Sequence, residues 1–325
     1  MDNYFLTFDI GGTRVKYGMV SPSGKLLRSG SFASPVNDGA AIFFNILTKN
    51  IDKILAETAG ELEGIGLGLS GGVDPDFGVV LLPGKFKGLE GFPVVKLLRE
   101  RYDCPVMADN DGRLAAYAEK YYGAAMDIDW AVVVTLGTGV GSGVIVDGKI
   151  LMDRHLLFGT QLGHLIINKT ADQTCLTGNR GTGEIFCSST ALALQVKSAI
   201  QRGIPSILTD LYFENPNAID FQSVSDACRA GDRLCLQEMG VWIDNLSILL
   251  INAVHAYGPE RIILSGGASL SADLFLDKLT EKVNKQVFRY SLNQPVEIIV
   301  SSMQDFAGVL GAAAMIIEKS KIKAI

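Results

Sequence analysis

Thr135-Leu136-Gly137-Thr138-Gly139-Val140-Gly141-Ser142-Gly143 sets the reading of this chain. A plain hairpin needs one or two glycines, and here four stand at alternate positions after the apolar run Ala131–Thr135. The alternation leaves one face of the segment bare, so its backbone N–H groups can approach an anion closely. Thr135 and Thr138 are suited to donate hydroxyls to a phosphate. Close packing of backbone on backbone is the alternative. An echo of this unit opens the chain, where Asp9-Ile10-Gly11-Gly12-Thr13-Arg14-Val15-Lys16 follows the apolar strand Tyr4–Ile10. Gly11 and Gly12 let the backbone near a phosphate, Thr13 adds a donor, and Lys16 can offset charge. Asp9, at a strand end, can hold magnesium through water. An ordinary hairpin with an acidic strand end accounts for the same residues. A third loop, Ser265-Gly266-Gly267 after Arg261–Leu264, can pass under a nucleotide base or ribose, or merely turn.

Two better-known phosphate motifs are excluded. No glycine set has the G-x-G-x-x-G spacing with a helix after it, and no Gly-Lys pair precedes Ser or Thr. Around the glycine turns, strands alternate with helical patterns. Strands are expected at Tyr4–Ile10, Val15–Met19, Ile65–Leu69, Val79–Leu82, Val106–Ala108, Ala131–Thr135, Val144–Val146, Leu165–Ile167, Arg261–Leu264 and Glu297–Ser301. Helices are expected at Ala40–Ala59, Val94–Arg101, Leu114–Tyr122, Thr190–Gln201, Glu238–Ala256, Ala272–Gln286 and Phe306–Glu318. The fold class is therefore α/β, with two related halves and a cleft between them. The expected domains are residues 1–118, completed by 303–325, and residues 119–302.

At roughly 150 residues per domain, 325 residues also suggest two domains. Hydrophobic residues at 48% and charged residues at 20% exclude a disordered or collagen-like chain. The net charge of −6 argues against nucleic acid as a partner. Asp2 and Asp9 break the apolar start, so no secretory leader is expected. Val241–Val254, the most apolar long stretch, is too short to span a bilayer and predicts a buried helix rather than a membrane segment. An odd number of cysteines, five, predicts a reducing, cytoplasmic setting without a disulfide framework.

Asp109-Asn110-Asp111-Gly112 stands before a helix expected from about Leu114. One of these polar residues serves as an N-cap, and three in a row exceed what a cap requires. Asp111 is the candidate base: a helix N-terminus favours its charged form, and phosphoryl transfer tolerates a weak base that takes its proton late. Gln161-Leu162-Gly163-His164, Cys175 and Glu184 form a further polar cluster. His164 reads more readily as a satisfied core group than as a ligand, and Glu184 also suits the first turn of a helix.

Taken together, these segments resemble the ROK family of sugar kinases and sugar-responsive repressors. Its parts occur in family order: Asp9–Lys16, then Ser70-Gly71-Gly72-Val73-Asp74 where the family usually has a Pro-Gly turn, Asn110-Asp111, Thr135–Gly143, Gly163-His164 and Ser265-Gly266-Gly267. The resemblance implies a two-domain actin/hexokinase-like fold and an ATP-dependent, glucokinase-like kinase acting on a hexose, as a homodimer. It makes Asp111 the base. Gly71, Asn110, Gln161, His164 and Glu184 become sugar contacts. Asp9, Gly11, Gly12, Thr13, Lys16, Gly137, Thr138, Gly139, Gly266 and Gly267 become contacts of ATP, with Asp9 toward Mg2+. A repressor of this family carries a DNA-binding segment before the first loop, and with that loop at Asp9 none is expected.

Three departures stand out. Gln161 replaces a usual Glu, and Arg113 a usual Asn. The family's zinc run of three cysteines reads Cys175-Leu176-Thr177-Gly178-Asn179-Arg180-Gly181-Thr182-Gly183-Glu184, with threonine at two of the three positions. Cys175 and His164 fall short of four ligands, so no structural zinc is expected.

Overall fold

The computed structural model describes residues 3–74, 77–82, 86, 88–153, 155, 160–288 and 294–322. It divides into two compact units, Met1–Asp127 with Ile150–Gly159 and Phe306–Ile325, and Ile128–Lys149 with Thr160–Asp305.

The first unit contains β1 (Tyr4–Ile10), β2 (Arg14–Val20), β3 (Leu26–Ala33), α1 (Ala40–Ala56), β4 (Leu62–Leu69), β5 (Gly72–Val73), β6 (Val80–Leu82), α2 (Val94–Arg101), β7 (Val106–Asn110) and α3 (Asp111–Tyr122). The second contributes β8 (Ala131–Leu136), β9 (Val140–Val146) and β10 (Lys149–Ile150), whose end crosses the boundary. There follow α4 (Gly183–Cys187), α5 (Ser189–Gln201), α6 (Thr209–Glu214), α7 (Phe221–Arg229), α8 (Arg233–Tyr257), β11 (Arg261–Ser265), α9 (Leu276–Gln286) and β12 (Glu297–Val300). The chain then returns to the first unit as α10 (Ala307–Ile322).

The two main sheets share one plan. Among the described residues the orders are β3-β2-β1-β4-β7 and β10-β9-β8-β11-β12. In each, the first strand of the unit runs antiparallel to the second and parallel to a later strand, which is parallel to the last. The central strands are buried on both faces, as parallel strands covered by helices must be, so β1, β4 and β8 read as continuous apolar runs. In the first unit α1 presents Phe43, Leu47, Ile51 and Ile54 to the core at helical spacing.

This plan aligns the carboxyl ends of neighbouring parallel strands, the edge at which open α/β sheets bind ligands. Asp9 pairs with Gly68, and Gly68 with Asp109. Thr135 pairs with Ser265.

Several elements differ from the sequence reading. Gly141 and Gly143 lie inside β9, opposite Thr135 and Val133, so the turn is only Gly137-Thr138-Gly139. Leu165–Ile167 is not a strand. A 3-10 turn over Leu162–His164 precedes it, and the run finds only one isolated bridge, Ile166 to Thr182. Leu165 and Ile166 are exposed: an apolar run without a neighbouring strand does not pair. The helix expected at Ala272–Gln286 breaks at Phe275, which turns into the core against Trp242. The buried helix read at Val241–Val254 is part of the 25-residue α8, which is long and apolar enough to cross a membrane by length and composition. Its Asp232 cap and left-handed Gly258 set those limits. Trp242, Leu246, Leu249 and Leu250 on it belong to the core of the second unit.

Candidate functional site

In the first unit, β1 reaches β2 through Gly11-Gly12-Thr13. The Gly11 N–H donates to the Arg14 carbonyl at 3.1 Å, and a Cβ on Gly11 would stand 2.9 Å from that oxygen. Gly11 is thus required by the turn itself. Open space surrounds the position of a Cβ on Gly12. Asp9 and Lys16 are direct cross-strand partners, so their side chains share one face of the sheet. The Asp9 carboxyl sits against the first turn of α10, where a Cβ on Gly308 would lie 3.0 Å from its Cγ. A helix N-terminus favours a carboxylate there. As a hard oxygen donor at a strand end, Asp9 suits magnesium.

One strand over from β4, β7 turns directly into α3. Asn110 is the N-cap: its Oδ1 accepts the Gly112 N–H at 2.9 Å, and its Nδ2 donates to the Gly71 carbonyl at 2.9 Å. Gly71 holds φ +109° to present that carbonyl. Both ends of the Asn110 amide are therefore fixed. The three-residue polar run now resolves. Asn110 caps, Asp109 is buried against Arg113, and Asp111 is left half-buried at the first position of α3. Its Oδ1 accepts the Gly112 N–H at 2.9 Å.

In the second unit the Gly137 carbonyl accepts both the Ser189 N–H (2.9 Å) and the Ser189 hydroxyl (2.6 Å), tying the turn to the start of α5. Thr138 stands at the turn's centre. The bare side of Gly139 faces Glu184. A Cβ there would collide with Glu184 Oε2, which also accepts the Val140 N–H at 3.3 Å. Gly266, at φ +88°, lies on Leu136, with 2.7 Å from a would-be Cβ to the Leu136 carbonyl oxygen. Gly267 is open. The second and third glycine loops are thus adjacent.

Gln161 follows Thr160, a non-glycine residue at φ +71°. The Ser142 hydroxyl donates to the Thr160 carbonyl and accepts the Leu162 N–H at 2.9 Å, pinning Gln161 between them. A Cβ on Gly163 would collide with the Val140 carbonyl, so the Leu162–His164 turn lies tight on the start of β9. His164 is exposed and is no core histidine.

The donor set of the cysteine run does not fit closed zinc. Cys175 Sγ stands 4.0 Å from His164 Nδ1 and 2.9 Å from Thr177 Oγ1. Among the described residues no group of three or more Cys, His, Asp or Glu is placed to hold a metal ion. Burial pushes the Cys175 thiol up, but hydrogen bonds from Thr177, Asn179 and Thr182 outweigh it, and its pKa lies below the ordinary thiol value. The other four thiols are pushed up, mainly by burial, Cys104 to about 11 and Cys235 to about 12.

The contacts of Ser142 with Thr160 and Leu162, of Ser189 with Gly137, and of Arg113 with Asp109 were not part of the sequence reading. The Ser189 bond had a local signal, since Ser188-Ser189 opens a helix, and the Asp109–Arg113 pair had one in its spacing of four.

A profile of the ROK family matches residues 5–319. A glucokinase of Thermotoga maritima is 30% identical over 312 residues, covering 96% of both chains. A xylose repressor of Caldicellulosiruptor bescii is 30% identical over 278 residues, 85% of this chain and 67% of the repressor. The crystal structure of a ROK family glucokinase from Streptomyces griseus, in complex with glucose and AMPPNP, superposes with a TM-score of 0.83. It is 24% identical and is covered to 98%, against 96% of this chain. The fold is that of the actin/hexokinase-like sugar kinases. With a profile match over nearly its whole length, this chain belongs to the ROK family.

Proposed function

We propose that this chain is an ATP-dependent hexose kinase that transfers the γ-phosphate to a sugar hydroxyl, with the C6 hydroxyl of a glucose-like hexose as acceptor. The β7–α3 corner carries the reading. It sets a half-buried carboxylate, Asp111, beside an amide held at both ends, at a sheet edge shared with Asp9 and Gly71. The Thermotoga glucokinase and the glucose–AMPPNP complex of the Streptomyces enzyme support it.

In this reading Asp111 orients the hydroxyl and takes its proton late, as a loose transition state requires. Asn110, Gly71, Gln161, His164 and Glu184 bind sugar hydroxyls. Gly11, Gly12, Thr13 and Lys16 of the first turn, and Gly137, Thr138 and Gly139 of the second, bind the phosphates. Gly266 and Gly267 pass beneath the adenosine. Asp9 would hold Mg2+, which when bound would supply positive charge to offset that of the phosphates. Five free cysteines agree with a cytoplasmic enzyme. The exposed Leu194, Phe213, Val241 and Ile248 on α5, α6 and α8 favour a homodimer. The acidic net charge disfavours nucleic acid as a partner.

The test is ADP and sugar-phosphate formation across glucose, mannose, fructose and the N-acetylhexosamines. Equal amounts of both products with at least one hexose are expected. ATP turnover that no sugar stimulates would leave a sugar-binding protein without kinase activity. The same panel tests Gln161. The amide keeps one acceptor and adds a donor, which costs about 1–3 kcal/mol if buried unpaired and which an oxygen of the sugar can answer. Gln161→Glu is expected to reorder kcat/KM among the sugars. If all values scale by one factor, Gln161 lies away from the sugar.

We also propose that the Cys175 loop holds no zinc. At neutral pH, without chelator, Cys175 should take up a thiol reagent faster than the other four cysteines, and Cys175→Ser should abolish the fast phase. A fast phase that appears only after chelation would reveal bound metal.

A further inference from the structure

Arg113 stands where the resemblance puts asparagine, and phosphoryl transfer as described above assigns it no task. Its placement is costly. It lies in the first turn of α3, where the helix dipole disfavours a cation. Its side chain is 2% exposed, and an ion that deep must be paired. Asp109, 0% exposed, supplies the pair. Arg113 Nε and Nη2 both donate to Asp109 Oδ1, at 2.7 and 2.5 Å. The same oxygen accepts the Asn110 backbone N–H at 2.7 Å. Asp109 Oδ2 is buried and accepts no hydrogen bond, so all three donors load one oxygen.

Position matters more than the count of bonds. An i,i+4 ion pair inside one helix joins two residues that the helix already holds together, and it adds little. Here Asp109 belongs to β7 and Arg113 to α3. Between them the backbone changes course at Asn110, at φ −65° and ψ 139°. The pair is a brace across that corner, and the residues it encloses are Asn110, Asp111 and Gly112. Packing alone does not call for ions at this place, because an apolar pair of similar volume is often as stable or more so. The ions add direction. A forked guanidinium fixes the carboxylate, and the carboxylate fixes the Asn110 N–H.

We infer that Arg113 is a positioning residue, which through Asp109 holds the strand-to-helix corner so that the Asn110 amide and the Asp111 carboxylate meet the hexose together. The kinetic consequence rests on the kinase reading, whereas the brace can be read without turnover.

Two variants test it. Arg113→Lys keeps the charge and loses the fork. Asp109→Asn combined with Arg113→Met removes both charges, leaves no buried ion, and keeps an oxygen for the Asn110 N–H. In both, hydrogen exchange at the Asn110 and Gly112 amides should quicken about tenfold or more while the central strands stay protected. The hexose KM should rise and kcat fall by about 10²-fold, the cost of misplacing a reacting group by about 1 Å. The ATP KM should stay within about twofold, since the proposed phosphate residues belong to the β1–β2 and β8–β9 turns and the brace to the β7–α3 corner. Arg113→Lys should retain more activity than the double variant. A purely structural role gives another pattern: exchange quickens throughout the unit, both KM values stay at wild type, and kcat falls with the folded fraction. That pattern, or wild-type exchange at Asn110 and Gly112 in the folded variants, overturns the inference. If the wild type phosphorylates no sugar, the kinase reading fails and the exchange data alone decide the brace.

Discussion

Asp111→Asn is expected to bind hexose as the wild type does and to lose about 10²–10⁴ in turnover, the range for removal of a general base. The substitution is close to isosteric. The Asn side-chain oxygen can still accept the Gly112 N–H that Asp111 Oδ1 accepts at 2.9 Å, so the first turn of α3 keeps its geometry. Asn110 keeps both of its bonds, to Gly112 and to Gly71. What disappears is a place for the proton of the attacking hydroxyl. Calorimetric affinity for glucose separates this from a binding defect, and thermal denaturation separates it from misfolding. Turnover near wild type in a stable, sugar-binding Asp111→Asn protein would remove Asp111 from the role of base.

The parts of the fold that the sequence shows are those whose signal is local. β1, β4 and β8 are continuous apolar runs because both of their faces are covered. The repeated strand–glycine turn–strand unit shows through as two sheets with one strand plan. β3 does not show. It is an edge strand whose burial alternates along Leu-Leu-Arg-Ser-Gly-Ser-Phe-Ala, a polar pattern that propensity reads as loop. The alternating glycines misled because a bare strand face and a loop look alike in sequence, and Gly141 and Gly143 proved to be strand.

The candidate site divides in the same way. Asn110 and Asp111 follow from capping logic within three residues. The contact between Glu184 and the Val140 N–H spans 44 positions and has no local trace. It also changes what Gly139 means. The missing side chain there makes room for a protein carboxylate, so in the proposed reading only the Gly139 backbone can serve a phosphate, whereas a Cβ on Gly12 or Gly137 would meet open space. Asp109 and Arg113 are four apart and so visible as a pair, but a polar run before a helix does not reveal that one partner is strand and both are buried.

Gly311→Ala is expected to destabilise the protein by about 2 kcal/mol or more, although helix propensity alone predicts a gain of about 1 kcal/mol for that change. The difference in sign comes from the crossing of α10 and α3. A Cβ on Gly311 would collide with the Leu114 carbonyl and stand 3.0 Å from the Leu114 Cα. On its other side α10 also lies close to β4: a Cβ on Gly66 would be 2.9 Å from both the Ala312 carbonyl oxygen and its Cβ. The obstacle at Gly311 is backbone, which cannot rotate away as a side chain would. A methyl group must therefore push the helices apart, loosening the contacts of Leu114, Ala115, Ala312 and Ala313, all buried. Leu114 lies one turn from Asp111, so the strain reaches the corner that carries the proposed base. Denaturant midpoints at constant m-value measure the stability term, and kcat of the folded enzyme measures the displacement. A Gly311→Ala protein as stable as the wild type, with unchanged kcat, would mean that the two helix backbones do not touch and that something other than this crossing positions α3.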